Sequence, residues 1–390
     1  MKINLPLVAL ATGAFGIGVT EFAPMGMLPV MAADLGISIP AAGLLVSAYA
    51  IGVLAGAPLM ILTTGRMRRR SLLIALAGIF TAGNALSAVS GSYELLVMSR
   101  LITALNHGAF FGVGAVVAAG LVTPDKRAAA VATMFMGLAV ANVVGVPLAS
   151  YVGEAIDWRT VFWGIAALGV VTMAALRFTL PDAPAPQAGN ALAELKVLSR
   201  GSVLAAFGLT VLGSSAMFTV FTYIAPILQG ETGVSAIMVS VMLVIYGLGL
   251  ALGNWLGGYF ADRSVDMTLA VALGSVSVIL FVFAGLMHYE VATALIMAVW
   301  GVATFAMIAP MQMRVMGAAA DAPNLASAVN IGAFNLGNAI GAALGGAVIS
   351  AGLGYPAVSL TGAVMAALGL AAVFLTRERA PQPVLCDRAA

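Results

Sequence analysis

Charged side chains are scarce in this sequence. Of its 390 residues only 8% are Asp, Glu, Lys or Arg, against roughly a quarter in a soluble domain, so water could not solvate its folded surface. Cysteine is nearly absent: Cys386 alone excludes an intramolecular disulfide framework. The two histidines, His107 and His288, lie far apart in sequence, without metal-ligand spacing. Net charge is +2, and the basic residues form no patch interleaved with aromatics, which argues against nucleic-acid binding. No serine or cysteine nucleophile arrangement, phosphate loop or sizeable soluble loop is present, so neither an enzyme nor a receptor is expected. The glycine strings Gly13-x-x-Gly16-x-Gly18 and Gly247-x-Gly249 sit inside apolar runs rather than after a soluble strand, which fits close helix packing and not a nucleotide loop.

Apolar residues fill the space that charge leaves. They make up 62% of the chain, with a mean hydropathy of +1.08. A helix needs about 20 apolar residues to cross the hydrocarbon core. Twelve such stretches can be drawn, near 5–30, 40–62, 71–90, 93–120, 128–152, 159–177, 202–229, 235–260, 267–287, 290–316, 323–350 and 355–376. The first is too long for a signal-peptide core and lacks a small-residue cleavage site, so it reads as an uncleaved span. All the Lys and Arg except Arg100 and Arg159 fall at the ends or connections on one side, while Asp34, Glu94, Glu154, Asp157, Glu231 and Glu290 fall on the other. Basic connections face the cytoplasm, so both termini are expected there, in a multi-pass protein of the bilayer. The polar interruption after Pro181 divides the chain. The expected parts are a six-helix bundle over 1–181, a cytoplasmic linker over 182–200 carrying a short amphipathic helix, a second bundle over 201–376 and a cytoplasmic tail over 377–390.

The two halves repeat one another. An offset of 197 places Pro29 on Pro226, Tyr49 on Tyr246, Gly52 on Gly249, Gly56 on Gly253 and Arg66 on Arg263. An offset of 196 places Asn142 on Asn338 and Gly145 on Gly341. Two parallel repeats of six spans are the pattern of a transporter whose halves rock about a central site. The fold class expected is therefore all-α, with twelve transmembrane helices in two pseudo-symmetric bundles.

Glu21 is the only charged residue between Leu5 and Val30. An ionised carboxylate costs at least a few kcal/mol in hydrocarbon, so something must pair with it, solvate it or protonate it. In a chain built from such runs, proton-coupled transport is the natural use. At 1.5 Å per residue, Glu21 lies about 24 Å along its span and Arg100 roughly 10 Å along span four from the opposite end. The two therefore reach comparable depth and can face one another. Burial penalises the ionised carboxylate and a nearby guanidinium favours it, a balance that alternating access can tip. A buried pair that merely locks two helices together is the structural alternative. His107, two turns beyond Arg100, could relay protons or bind cargo, or could simply pack helices.

The segments Thr20-Glu21-Phe22-Ala23-Pro24-Met25-Gly26-Met27-Leu28-Pro29, Arg100 with Asn106-His107-Gly108-Ala109-Phe110-Phe111, Asn142-Val143-Val144-Gly145-Val146-Pro147 and Trp158-Arg159 resemble the major facilitator superfamily. The likeness spans essentially the whole chain and points to the drug:proton antiporter branch with its arabinose-efflux-like permeases. It implies a monomeric exporter in the bacterial inner membrane, coupled to protons and needing no other cofactor. It also implies that Glu21 carries the proton, with Arg100 beside it. The segment around Asn142, Gly145 and Pro147 resembles the antiporter motif, although Gly-Val-Pro replaces the usual Gly-Pro. The connection after span two keeps Gly56, Arg66, Arg69 and Arg70 but has Gly65 where an aspartate is expected, whereas the second copy keeps Asp262 and Arg263. Any gate built on these is expected to lean on the second copy; anchoring by basic residues is the alternative. Candidate cargo residues are Asn106, Asn142, Tyr223, Tyr246, Asn330, Asn335 and Asn338, with Phe22, Phe110 and Phe218 as apolar walls. Buried asparagines also serve to hold helices together. The cargo expected is a small amphipathic, drug-like or sugar-like molecule, and uptake by symport or facilitation is the competing direction.

Overall fold

A computed structural model describes residues 4–64, 67–123, 126–181, 197–321 and 323–376. Arg66, the tail from 377 onward and most of the expected linker lie outside the described residues. Helices account for nearly all of the described chain, and it contains no strand among the described residues.

The spans are α1 (Leu5–Leu35), α2 (Ile39–Thr64), α3 (Arg69–Ala88), α4 (Tyr93–Ala104 and His107–Gly120), α5 (Arg127–Val140, a π-helical turn Ala141–Gly145 and Val146–Val152) and α6 (Trp158–Thr179). The second half holds α7 (Gly201–Phe221 and Ile224–Gly230), α8 (Ala236–Ala261), α9 (Val265–Leu286), α10 (Glu290–Ala306 and Ile308–Ala318), α11 (Pro323–Ser350) and α12 (Gly354–Leu375). The apolar stretch Ala130–Thr179 runs 50 residues; straight, it would measure about 75 Å, more than twice the hydrocarbon thickness. It turns back at the π-helical Gly153–Asp157, where Asp157 is extended (φ −175°, ψ 138°), and so supplies two spans. Among the described residues the spans number twelve.

Local chemistry sets the helix ends. Asn4, Ser92, Ser235 and Ser264 each accept a hydrogen bond from a first-turn backbone N–H, satisfying donors that have no intrahelical partner. Gly36 ends α1 in the left-handed region at φ 62°, which costs glycine nothing.

Breaks inside the spans have local causes too. Proline lacks an N–H and its ring collides with the carbonyl four residues back. Pro226 therefore interrupts α7 at Thr222–Tyr223, Pro310 interrupts α10 at Met307, and Pro147 widens α5 into the π turn around Val143. In α4 no proline is near. Instead the Asn106 side chain donates to the Thr103 carbonyl at 3.2 Å while the Asn106 backbone N–H reaches the same carbonyl at 3.4 Å. An amide that competes for a backbone acceptor loosens the helix.

Within the first half, α1 packs on α2, α5 and α6, and α3 packs on α4 and α6; within the second, α7 packs on α11 and α12, α8 on α10, and α9 on α10 and α12. The halves meet where α2 lies on α11, α1 on the second piece of α7, and α5 on α8. Large apolar side chains such as Trp255, Phe281 and Phe374 face outward, exposed as lipid-facing residues would be.

One end of the molecule carries the acidic connections and is here called the acidic end; the other is the basic end. At the acidic end Arg159 reaches Asp34 at 2.7 Å, lies 4.2 Å over the Trp158 ring and donates to the Ser90 carbonyl, tying α1, α3 and α6. Near the basic end Arg200 pairs with Asp321 and Arg314 with Asp266.

Candidate functional site

Glu21 sits about half-way along α1 and is 7% exposed, and Arg100 is fully buried. They do not pair directly: among the described residues no Lys or Arg nitrogen lies within 4.0 Å of the Glu21 carboxylate. Arg100 donates through Nη1 to the Thr20 hydroxyl at 3.1 Å and lies 4.3 Å over the Tyr49 ring. Thr20 in turn donates to Asn84 Oδ1 at 2.6 Å. Arg100 Nε and Nη2 have no hydrogen-bond partner among the described residues. Arg100 reaches the depth of Glu21, since it bonds Thr20, the residue just before it, but the contact between the two is not made in this state.

Glu21 instead reaches across the molecule. Asn338 on α11 donates through Nδ2 to Glu21 Oε1 at 3.4 Å, and Asn338 Oδ1 accepts from the Ser214 hydroxyl on α7. One residue along, the Ser47 hydroxyl of α2 donates to the Ala339 carbonyl at 3.0 Å. A single turn of α11 thus receives polar contacts from two helices of the other half.

His107 opens the second piece of α4, and its Nδ1 shares a hydrogen bond of 3.1 Å with the Tyr49 hydroxyl. Tyr49 therefore touches both Arg100 and His107. Sequence reasoning used Tyr49 only to mark the repeat and missed Thr20, Asn84 and Ser214. Their signal was weak: each is an uncharged polar residue in an apolar run, and only packing shows which partner it meets.

The second half answers this polar cluster with aromatics. At the repeat offset Phe218 stands where Glu21 stands, and Met297 where Arg100 stands. Phe22 lies 5.9 Å from Phe218 and 6.2 Å from Phe221, while Tyr246 stacks 4.7 Å from Phe221 and lies 4.8 Å from Trp300. Among the described residues Glu21 is the one buried carboxylate of the spans, and the other half offers it the Asn338 amide but no charged partner.

Comparison with known proteins fits this architecture. The family model described as Major Facilitator Superfamily matches residues 10–329. The chain belongs to the Major Facilitator Superfamily. It is 55% identical over 384 residues to the inner membrane transport protein YdhP of Escherichia coli strain K12, covering 98% of this chain and 99% of that one. It is 35% identical to the putative transporter AraJ of the same strain, over 97% of this chain and 98% of that one. The crystal structure of a bacterial homologue of the human lysosomal transporter Spinster, in an inward-facing and unoccupied conformation, shares its fold at a TM-score of 0.70 and 16% identity, covering 95% of this chain and 96% of that one. The protein is thus a multi-pass inner-membrane transporter, built on a fold of transporters rather than enzymes.

This superfamily member distributes its other candidate residues unevenly. Asn142 and Asn335 spend their amide donors on carbonyls of their own helices, Leu138 and Ile331. Asn330 donates to Gln312 at 2.7 Å and so joins α11 to α10. Phe110 fills the space at Gly13, where a Cβ would come within 2.2 Å of its ring, and belongs to the core of the first half. Tyr223 is buried; its hydroxyl donates to the Ala342 carbonyl at 2.8 Å and crowds Gly43 of α2. Asn106 is buried with Oδ1 unpartnered. The gating candidates divide as well. Gly145 lets α5 close on Val19, where a Cβ would come within 2.4 Å of its side chain, and Pro147 shapes the neighbouring π turn. At the basic end Arg263 stacks on Tyr259 of its own helix at 4.5 Å, Asp262 is exposed, and Arg69 opens α3.

Proposed function

We propose that the protein is a proton-coupled exporter of small amphipathic solutes, drug-like or sugar-like, working as a monomer by alternating access with its basic end and both termini in the cytoplasm. The observation that carries this reading is the placement of Glu21: a lone carboxylate at the junction of the halves, bonded to one and flanked by the unpartnered donors of Arg100 in the other. The basic end fits the cytoplasm by the excess of Lys and Arg in its connections, and the antiporter-like segment of α5 favours export.

We read the acidic end as closed in this state, from the packing of α1 on the second piece of α7, α2 on α11 and α5 on α8 and from Gly43 of α2 against Tyr223. A carboxylate held by one amide and no cation is costly to keep ionised in such surroundings, so this state suits the neutral acid. Parting of the halves at the acidic end frees Glu21 from Asn338 and lets it turn to Arg100, whose guanidinium suits the ionised form. Proton entry and cargo release are then linked through the two positions of one side chain. Export of solute against proton entry follows when the cargo and the proton use opposite halves of the cycle.

The test is accumulation of a panel of dyes, drugs and sugars in a pump-deficient bacterial strain expressing wild type or Glu21→Gln. Wild type lowers accumulation of its cargo; Glu21→Gln, like collapse of the proton gradient, abolishes that effect. Full export by Glu21→Gln removes Glu21 as the coupling group, and raised accumulation with wild type reverses the direction to uptake.

A further inference from the structure

We propose that Asn338 is a positioning residue that lets the second half sense the proton on Glu21, latching the acidic end shut only while the carboxyl sits against it. The proposal rests on the reading of Glu21 as the proton carrier.

Three observations lead here. First, the amide is oriented. Ser214 donates to Asn338 Oδ1, which leaves Nδ2 as the group presented to Glu21 Oε1. Second, the amide is held by a rigid support. Gly337, Gly341 and Gly345 place α11 directly on α7: a Cβ at each would come within 2.6 Å, 2.6 Å and 2.5 Å of the Val211, Ser215 and Thr219 carbonyl oxygens. Close contact of this kind leaves little room for sliding, so Asn338 moves with both helices as a unit. Third, an alternative partner stands ready. Arg100 keeps Nε and Nη2 without partners although it is fully buried, and buried donors in proteins are normally satisfied.

The carboxyl can thus satisfy either Asn338 in one half or Arg100 in the other. The titratable groups beside it in the first half are Arg100, which bonds the adjoining Thr20, and Tyr49 under the Arg100 guanidinium, with His107 bonded to Tyr49; α7 and α11 carry no charged residue and meet it through the Asn338 amide held by Ser214. A neutral acid still accepts from the amide through its carbonyl oxygen, more weakly than an ion would, but it avoids the cost of a buried charge. An ionised one is drawn to the guanidinium, leaving the Asn338 donor unmet and the latch released. Acid therefore favours the closed acidic end and alkali favours its opening.

Spin labels at Ala33→Cys and Ala351→Cys, in a Cys386→Ser background, report the separation of the halves at the acidic end in nanodiscs by double electron–electron resonance. Wild type is expected to populate the open distance increasingly as pH rises. Asn338→Ala is expected to raise the open-to-closed ratio about five- to tenfold in acid, the change one buried hydrogen bond controls, and to flatten the pH response. Ser214→Ala, which only frees the amide to turn, shifts the ratio in the same direction by less. Glu21→Gln, a permanent mimic of the neutral acid, stays closed at every pH. If Asn338→Ala and Ser214→Ala reproduce the wild-type distances while Glu21→Gln still loses the pH response, the latch is wrong and the proton site stands. If Glu21→Gln also follows pH like wild type, the underlying reading fails. Ser214→Ala decides the matter should Asn338→Ala not fold.

Discussion

Arg100 is fully buried, and charge alone does not account for its seat. Its guanidinium is held by shape: the plane lies over Tyr49 and one edge meets Thr20, an arrangement that a point-charge ammonium cannot copy. Cation–π contact with a desolvated ring contributes about 2 kcal/mol. Arg100→Lys is therefore expected to keep the charge yet lower proton-driven transport by tenfold or more in proteoliposomes, at unchanged protein amount. Tyr49 would compensate only in part, because an ammonium over its ring keeps the cation–π attraction but loses the planar stacking and the edge that meets Thr20. Glu21 and Arg100 were legible in the sequence, since a charge in an apolar run has few bland explanations. The Glu21–Asn338 contact was not, because periodicity gives the face of a helix but not the helix that will cover it.

Among the elements, proline accounts for the breaks in α5, α7 and α10, whereas the break in α4 comes from an asparagine, a residue that gives no such signal in a sequence. The joining of α5 and α6 through a π-helical turn was likewise hidden, although the expected boundary near 152–159 fell at the right place. Helix-to-helix approach is governed by residues without side chains. Gly247 of α8 faces the Asn142 carbonyl, and a Cβ there would come within 2.6 Å of that oxygen and 2.9 Å of the Val143 Cα. Backbone cannot yield as a flexible side chain would. Gly247→Val is expected to hold α5 off α8, so that the acidic end stays open, cargo export falls at least tenfold and thermal unfolding in detergent still shows a folded protein. Export at wild-type rates would mean that α5 and α8 need not close.

At the scale of the whole molecule, the proposed orientation, with twelve spans and the basic connections in the cytoplasm, puts both termini in that compartment. Fusions of a reporter active only in the cytoplasm, placed at either end, are expected to give full signal, and the same reporter in the Leu286–Glu290 connection none. The two-bundle plan was read from an offset of 197 in a handful of residues, because repeats preserve tight turns and close contacts better than they preserve chemistry. Chemistry is where the halves part company: the first half holds Glu21, Arg100, Tyr49 and His107, the second Phe218, Phe221, Tyr246 and Trp300. Glu21 stands about half-way along a span of 31 residues, and this depth has an electrical consequence. On the proposed role of Glu21 as proton carrier, a proton that enters from one face to reach it crosses only part of the transmembrane voltage; the remainder acts when the proton leaves by the other face. Since a full crossing is worth about 2.3 kcal/mol per 100 mV, roughly half of that drives loading and half drives release, so the voltage pulls on both strokes of the cycle instead of one.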